Sequence, residues 1–66
     1  MPVYNVICNE NTTQGGVEEV MQYGRDKGGT VGQQFTLVNG FQVSFDDDAH
    51  ITAMRDLPSV EVVEEE

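Results

Sequence analysis

Three consecutive glutamates at the end of this 66-residue chain, Glu64 to Glu66, are the residues best placed to bind a partner. Side chains at alternate positions of an extended segment project to the same side, so Glu64 and Glu66 would act as a pair. Exposed helix N-termini attract carboxylates for the same reason that they attract phosphate. The pair could therefore cap helices of another protein. The alternative is an acidic tail that only aids solubility, and the residue types alone leave both interpretations open.

A second acidic run, Asp46 to Asp48, precedes an apolar pattern typical of a helix. Calcium loops alternate their oxygen ligands, place a glycine at the turn and end on a bidentate glutamate. This run has none of that spacing. Side-chain oxygens at a helix start accept hydrogen bonds from backbone N–H groups. We therefore predict that the run supplies the N-cap and first-turn acids of a helix rather than a cation site.

The side chains that could act as nucleophile or base are few, because the chain has one cysteine and one histidine. Cys8 cannot close an intramolecular disulfide, and with His50 it cannot supply the four ligands of a structural zinc site. We interpret Cys8 as a small buried apolar residue and His50 as a partly packed residue beside a helix. We expect no catalytic activity, no cofactor and no metal.

Acidic residues outnumber basic ones by 12 to 3, and the formal net charge is −9. Nucleic-acid binding requires several lysines or arginines per site, so nucleic acid and anionic membranes are poor partners. The opening residues do not resemble a secretory leader, and no apolar run approaches the roughly 18 residues of a membrane-spanning helix. We expect one soluble, cytoplasmic domain over residues 1–66 that is monomeric when free.

Hydrophobic periodicity predicts a strand, a helix, two strands, a second helix and a last strand. The first strand is Val3 to Cys8. The first helix, of about three turns, is indicated by the apolar spacing of Val17, Val20, Met21 and Gly24. It has Glu18 and Glu19 near its start, and Gly28-Gly29 provides a left-handed stop.

The middle of the chain is predicted to be an antiparallel hairpin of two strands, Thr30 to Leu37 and Phe41 to Phe45. Asn39-Gly40 between them favours a type I′ turn, because both central positions of that turn need positive φ. The buried side chains of the hairpin are expected to be Val31, Phe35, Phe41, Val43 and Phe45.

The last third of the chain is predicted to hold the second helix and the last strand. The helix is indicated by the apolar stripe of Ile51, Met54 and Leu57. It must stop before Pro58, because proline cannot continue a helix. The last strand is Val60 to Val63.

This order of elements predicts an α+β, ferredoxin-like βαββαβ fold, with a four-stranded antiparallel sheet and two helices on one of its faces. The other face of the sheet is left open. Alternation assigns to it Asn5, Ile7, Gly32, Gln34, Thr36, Gln42 and Ser44. A sheet face of this mixed composition is either solvated or a docking surface.

Three segments of the chain resemble the propeptide domains of subtilisin-type proteases. Leu57 to Glu66 resembles the end of those domains, which read Pro-Ser-Val, two variable residues, then Val-Glu-Glu-Asp. Gly28-Gly29-Thr30-Val31 followed by Phe35 resembles their Gly-Gly-x-Val/Ile…Phe segment, and Val3 to Val6 resembles their opening strand. The segments occur in the family's order and spacing over nearly the whole chain. The free-standing members of this family are small fungal inhibitors of subtilisin-like serine proteases.

The resemblance implies a non-covalent inhibitor whose open sheet face packs on two surface helices of a subtilisin-like protease. It assigns the capping of those helix N-termini to Glu64 and Glu66, and it admits a vacuolar location beside a cytoplasmic one. The protease-binding residues are then expected to be Glu64, Glu66, Val62, Val63, Gln34, Thr36 and Gln42.

The chain departs from the family pattern at two places. Family members continue beyond the final acid with a tail that lies in the protease cleft, whereas this sequence stops at Glu66, so weaker binding is expected. Asn5 stands where relatives carry an aliphatic residue. The alternative function is a ferredoxin-like interaction module, or a protease folding assistant, that binds without inhibiting.

Overall fold

A computed structural model describes residues 2–47 and 49–66 of the chain. The elements are β1 (Val3–Cys8), α1 (Gln14–Asp26), β2 (Thr30–Phe35), β3 (Gly40–Ser44), α2 (Ala49–Arg55) and β4 (Val60–Glu65). The strands form one four-stranded sheet in the order β2-β3-β1-β4, and each neighbouring pair is antiparallel. This architecture confirms the predicted α+β, ferredoxin-like fold.

One hydrophobic core lies between the helices and one face of the sheet. Tyr4, Val6 and Cys8 of β1 point into it, as their alternation predicts, and their exposed fractions are 5%, 0% and 2%. Val6 has Phe41 and Val63 as its neighbours on the two adjoining strands. The helices contribute Val17, Val20, Met21, Gly24, Ile51 and Met54. Full burial of each large apolar side chain stabilises the fold by about 1.5–3 kcal/mol.

Helix α1 begins earlier than its apolar spacing indicates. Thr13 is the N-cap, and its hydroxyl oxygen accepts a hydrogen bond from the Gly16 N–H at 3.1 Å. Glu18 and Glu19 therefore lie beyond the first turn, so the prediction that they stand near the helix start is wrong. In the sequence, a threonine N-cap that no apolar residue directly follows is a weaker signal for the start of a helix than the apolar stripe that begins at Val17.

The end of α1 is a Schellman motif, which confirms the predicted glycine stop. The Gly28 N–H donates to the Arg25 carbonyl at 3.0 Å, and the Gly29 N–H donates to the Gly24 carbonyl at 2.9 Å. Gly28 has φ of 89°, a left-handed conformation that glycine adopts without steric cost. A Cβ at Gly29 would lie 2.5 Å from the Phe45 ring, so the second glycine serves close packing.

The turn type predicted for Asn39-Gly40 is wrong. Gly40 is the first residue of β3 and pairs with Phe35, so residues 36–39 connect the two strands. Neither Asn39 nor Gly40 has the positive φ of a type I′ turn. Gly40 is required by packing instead, because a Cβ there would lie 2.6 Å from the Val6 carbonyl oxygen. Leu37, predicted to end a strand, is 97% exposed in this connection.

A bulge in β2 reverses the sides on which its last residues lie. Val31 pairs with Val43 and Gln34 pairs with Phe41, so β2 has one residue more than β3 between these pairs. One extra residue inverts the alternation that follows it. Gln34 therefore lies on the helix side, where its amide donates to Gln14 Oε1 at 3.0 Å. Phe35, predicted to be buried in the core, lies on the opposite side beside Gly40 and is half-buried.

Asp46 and Asp47 precede α2, which begins at Ala49 and has no acid in its first turn, so the prediction of first-turn acids is wrong. Asp47 accepts a hydrogen bond from the Ala49 N–H through its Oδ1 at 2.9 Å. Asp48 lies outside the described residues, so its predicted role has no structural account. Strand β4 is longer than predicted and extends to Glu65, because its backbone continues to pair with β1 through Asn5 and Tyr4.

Candidate interaction site on the open sheet face

The face of the sheet that turns away from the helices is hereafter the open face. Strand register assigns residues to it, because side chains directly opposite each other in an antiparallel pair lie on the same side. Val3, Asn5 and Ile7 of β1 define this side, since their neighbours in sequence point into the core. The cross-strand partners of these residues are Ser44, Gln42, Gly40, Glu64 and Val62.

Glu64 and Glu66 stand on the open face as a pair. Glu64 is directly opposite Asn5. Glu66 Oε1 accepts a hydrogen bond of 3.4 Å from the Gln42 amide, and the Glu66 backbone N–H donates to the Val3 carbonyl at 2.8 Å. Glu65 between them is opposite Tyr4, a core-facing residue, so it projects to the other side. Two exposed carboxylates are thereby held side by side at one corner of the open face.

Asn5 adds an unsatisfied acceptor beside these carboxylates. Its Oδ1 is inaccessible to water and has no hydrogen-bond partner. Asn5 lies between Gln42 on β3 and Glu64 on β4, and the Gln42 amide is turned toward Glu66 instead. A buried acceptor without a donor costs about 1–3 kcal/mol. The destabilising acceptor therefore lies at the centre of the open face.

The neighbouring part of the open face is apolar. Ile7 and Phe35 approach each other across Gly40, where an added Cβ would lie 2.9 Å from Ile7 Cδ1 and 3.0 Å from Phe35 Cδ2. Val62 is opposite Ile7 and is 39% exposed. Leu37 and Val38 of the 36–39 connection line a depression together with Ile7, and Glu10, Asn39 and Glu61 form its polar part. The open face thus has a polar, acidic corner and an adjoining apolar region.

The residues predicted to contact a partner divide between the two sides of the sheet. Val62, Gln42, Glu64 and Glu66 lie on the open face. Val63 is 8% exposed and belongs to the core, so it does not lie on the open face, and its protease contact stays a prediction. The predicted position of Gln34 on the open face is wrong because of the β2 bulge.

Thr36, predicted to extend the open face, follows the end of β2 and is an exposed residue of the connection. Sequence reasoning missed Phe35 as a residue of this face, and it missed the unsatisfied oxygen of Asn5. The residue type could have marked Asn5 as unusual, because asparagine is depleted in strands and β1 is an interior strand of the sheet.

The groups that could do covalent chemistry are packed away from this face. Cys8 is buried, and burial raises the pKa of its thiol. The thiolate is the reactive form, so the Cys8 thiol is held in its less reactive state. The His50 ring packs at 5.5 Å, centroid to centroid, from the core ring of Phe45. Within residues 2–47 and 49–66, no three His, Cys, Asp or Glu side chains come together to hold a metal ion.

No helix in the described part of the chain is both long enough and apolar enough to cross a membrane. Comparison with known proteins adds no family assignment, since the chain matches no protein-family model and no curated protein.

Proposed function

We propose that the chain inhibits subtilisin-like serine proteases by docking its open face on the protease surface, with Glu64 and Glu66 as caps of two helix N-termini. The observation that carries the proposal is the side-by-side placement of these two carboxylates on the open face, around the unsatisfied acceptor of Asn5. Further support comes from the ferredoxin-like topology and from the resemblance of Leu57 to Glu66 to the end of subtilisin propeptides.

The acidic corner has the chemistry that helix N-termini require. The first turn of a helix presents N–H groups without intrahelical partners, and its dipole places partial positive charge there. Glu64 and Glu66 offer exposed acceptors. Asn5 Oδ1 is buried without a partner in the free chain, and it would become a third acceptor when the Asn5 side chain turns outward on docking. Each carboxylate at a helix N-terminus contributes about 0.3–1 kcal/mol when exposed, and up to about 2 kcal/mol when partly buried.

The apolar region supplies contact area for an interface, which the two carboxylates alone would not provide. An interface of standard size buries about 800 Å² on each partner, which is roughly a fifth of the 4094 Å² accessible surface of this chain. Docking would remove Ile7, Phe35 and Val62 from water together with the acidic corner. Burial of apolar area favours association by about 25 cal/mol per Å² before the costs of binding are subtracted.

Titration of a subtilisin with the chain tests the proposal, with binding measured by calorimetry and activity measured on a peptide substrate. We expect activity to fall in proportion to the fraction of protease bound, with full loss at one bound chain per protease. Binding without loss of activity would support the folding assistant or interaction module instead. Absence of binding would overturn the docking proposal.

Substitution of the two glutamates tests the capping role. Glu64→Ala and Glu66→Ala should each weaken binding about threefold to tenfold, and the effect should shrink at high salt, which screens exposed charges. Glu65→Ala is the matched control, because it removes the same charge from the opposite side of β4. Equal weakening by all three substitutions would show a general charge effect and would contradict capping.

A further inference from the structure

Asn39 holds together two connections of the fold. Its side-chain Nδ2 lies 3.2 Å from the Asn9 carbonyl oxygen, 3.2 Å from that of Glu10 and 2.9 Å from that of Thr12. The amide has two protons to donate, so the three carbonyls share them. The Asn39 carbonyl in turn accepts the Cys8 N–H at 2.6 Å. The 36–39 connection is thereby tied to the residues between β1 and α1.

The residue that follows Asn39 is fixed as glycine for an independent reason. A Cβ at Gly40 would lie 2.6 Å from the Val6 carbonyl oxygen. Hydrogen bonding therefore favours asparagine at position 39, and packing requires glycine at position 40. As a result, a side-chain amide directly precedes a residue with no Cβ. In such a pair the backbone nitrogen of glycine can reach the amide carbon with little obstruction, because glycine also has the widest backbone freedom.

We propose that Asn39 is a deamidation site that the folded chain protects, and that its conversion irreversibly removes the Asn39 hydrogen-bond cluster. The Gly40 nitrogen attacks the Asn39 side-chain carbon, a C–N bond forms, and the bond to Nδ2 breaks. The Gly40 amide proton leaves with the amino group as ammonia. Water then opens the cyclic imide at either carbonyl and leaves a carboxylate on an aspartate or isoaspartate.

The folded structure opposes the attack in two ways. Three carbonyl contacts hold the Asn39 amide. Gly40 is paired on both sides, with Ile7 of β1 and Phe35 of β2. Ring closure needs the amide to rotate and the Gly40 backbone to move, so it requires local opening of the hairpin end. The reaction rate should therefore follow the population of the opened state.

The product cannot restore the cluster. An ionised carboxylate only accepts hydrogen bonds, and in place of Nδ2 it would face three carbonyl oxygens. Glu10 and Glu61 line the same surface depression as Asn39, so the new charge also meets like charges. Conversion at Asn39 therefore favours the opened state and does not reverse.

Mass-spectrometric peptide mapping of the full chain at mildly alkaline pH, in buffer and in concentrated urea, tests the protection. We expect conversion at Asn39 to be at least about tenfold faster in urea. Asn5, Asn9 and Asn11, each followed by a residue with a side chain, are internal controls and should convert far more slowly in both conditions. Equal rates at Asn39 in buffer and in urea, or no conversion in urea, would overturn the proposal.

Urea unfolding of two variants tests the consequence. Asn39→Ala removes the donor, and Asn39→Asp also adds the carboxylate. The folding equilibrium constant should fall about tenfold for Asn39→Ala and further for Asn39→Asp. The carbonyls disfavour the ionised form, so the pKa of the new carboxyl is raised on folding. The extra deficit of Asn39→Asp should therefore shrink as pH falls from that raised pKa toward the ordinary pKa of an aspartate in the unfolded chain, and vanish below the latter.

Equal stability of the two variants at neutral pH would contradict the proposed consequence. If neither variant folds, unfolding of wild-type chain that has been converted in urea and returned to buffer gives the same comparison. A converted chain with the unfolding midpoint of the unconverted chain would overturn the proposal. Neither experiment needs a protease, so failure here is distinct from failure of the proposed inhibitory function.

Discussion

Asn5 is a residue at which the fold and the proposed function favour different side chains. Its Oδ1 is buried without a donor in the free chain, and β-branched residues are better suited to an interior strand. A helix N-terminus docked between Glu64 and Glu66 would bring N–H donors to this oxygen once the half-buried Asn5 side chain turns outward. The unsatisfied acceptor would then lower stability in the free chain and add specificity in the complex.

Asn5→Val should therefore change stability and binding in opposite directions. We expect the free energy of unfolding to rise by about 1 kcal/mol, because the unsatisfied acceptor is removed, while affinity for a subtilisin falls severalfold. Urea unfolding and calorimetry measure the two effects. Thr30→Val is the matched control, since Thr30 lies opposite Ser44 on the far edge of the same face. Unchanged stability of the Asn5→Val variant would contradict the role of Asn5 as a destabilising, unsatisfied acceptor.

At the scale of elements, periodicity was sufficient to predict all six segments and their order. The stripe of Val17, Val20 and Met21 and the Gly28-Gly29 stop each have one physical interpretation, and both are confirmed. The residues at which elements begin and end were harder to predict from the sequence. The N-cap Thr13 is set by one side-chain hydrogen bond, which competes poorly with an apolar stripe as a signal.

Strand β2 shows why the site was harder to predict than the fold. The bulge between Val31 and Gln34 exchanges the sides of Gln34 and Phe35, and either residue type is acceptable on either side of an edge strand. Gly32 was the local hint, because an isolated glycine in a strand often marks a bulge. The β4 residues had no such irregularity after Val62, so Glu64 and Glu66 lie where alternation places them.

The N-cap of α1 gives a prediction at this scale. Thr13→Ala should lower the free energy of unfolding by about 1 kcal/mol, because the Gly16 N–H loses its acceptor. Thr13→Ser retains the hydroxyl and should recover most of that loss. Urea unfolding followed by helical circular dichroism measures both variants. A serine variant as unstable as the alanine variant would contradict the capping role.

At the scale of the whole molecule, the net charge of −9 is unevenly distributed. Four of the twelve acids, Glu61 and Glu64 to Glu66, lie in the last six residues. Two of these carboxylates stand on the open face, next to its apolar region, while both helices cover the other face. The molecule is therefore two-sided, and its proposed function uses the side that the core leaves free.

The most direct test of this account is amide chemical-shift mapping of the isotope-labelled chain with a subtilisin whose catalytic serine is covalently blocked. We expect the changes to concentrate at Asn5, Gln42, Glu64 and Glu66, with Glu18 and Gln22 on the exposed side of α1 unaffected. Changes centred on α1 or α2, or no changes at a protease concentration that saturates binding of related inhibitors, would contradict docking through the open face.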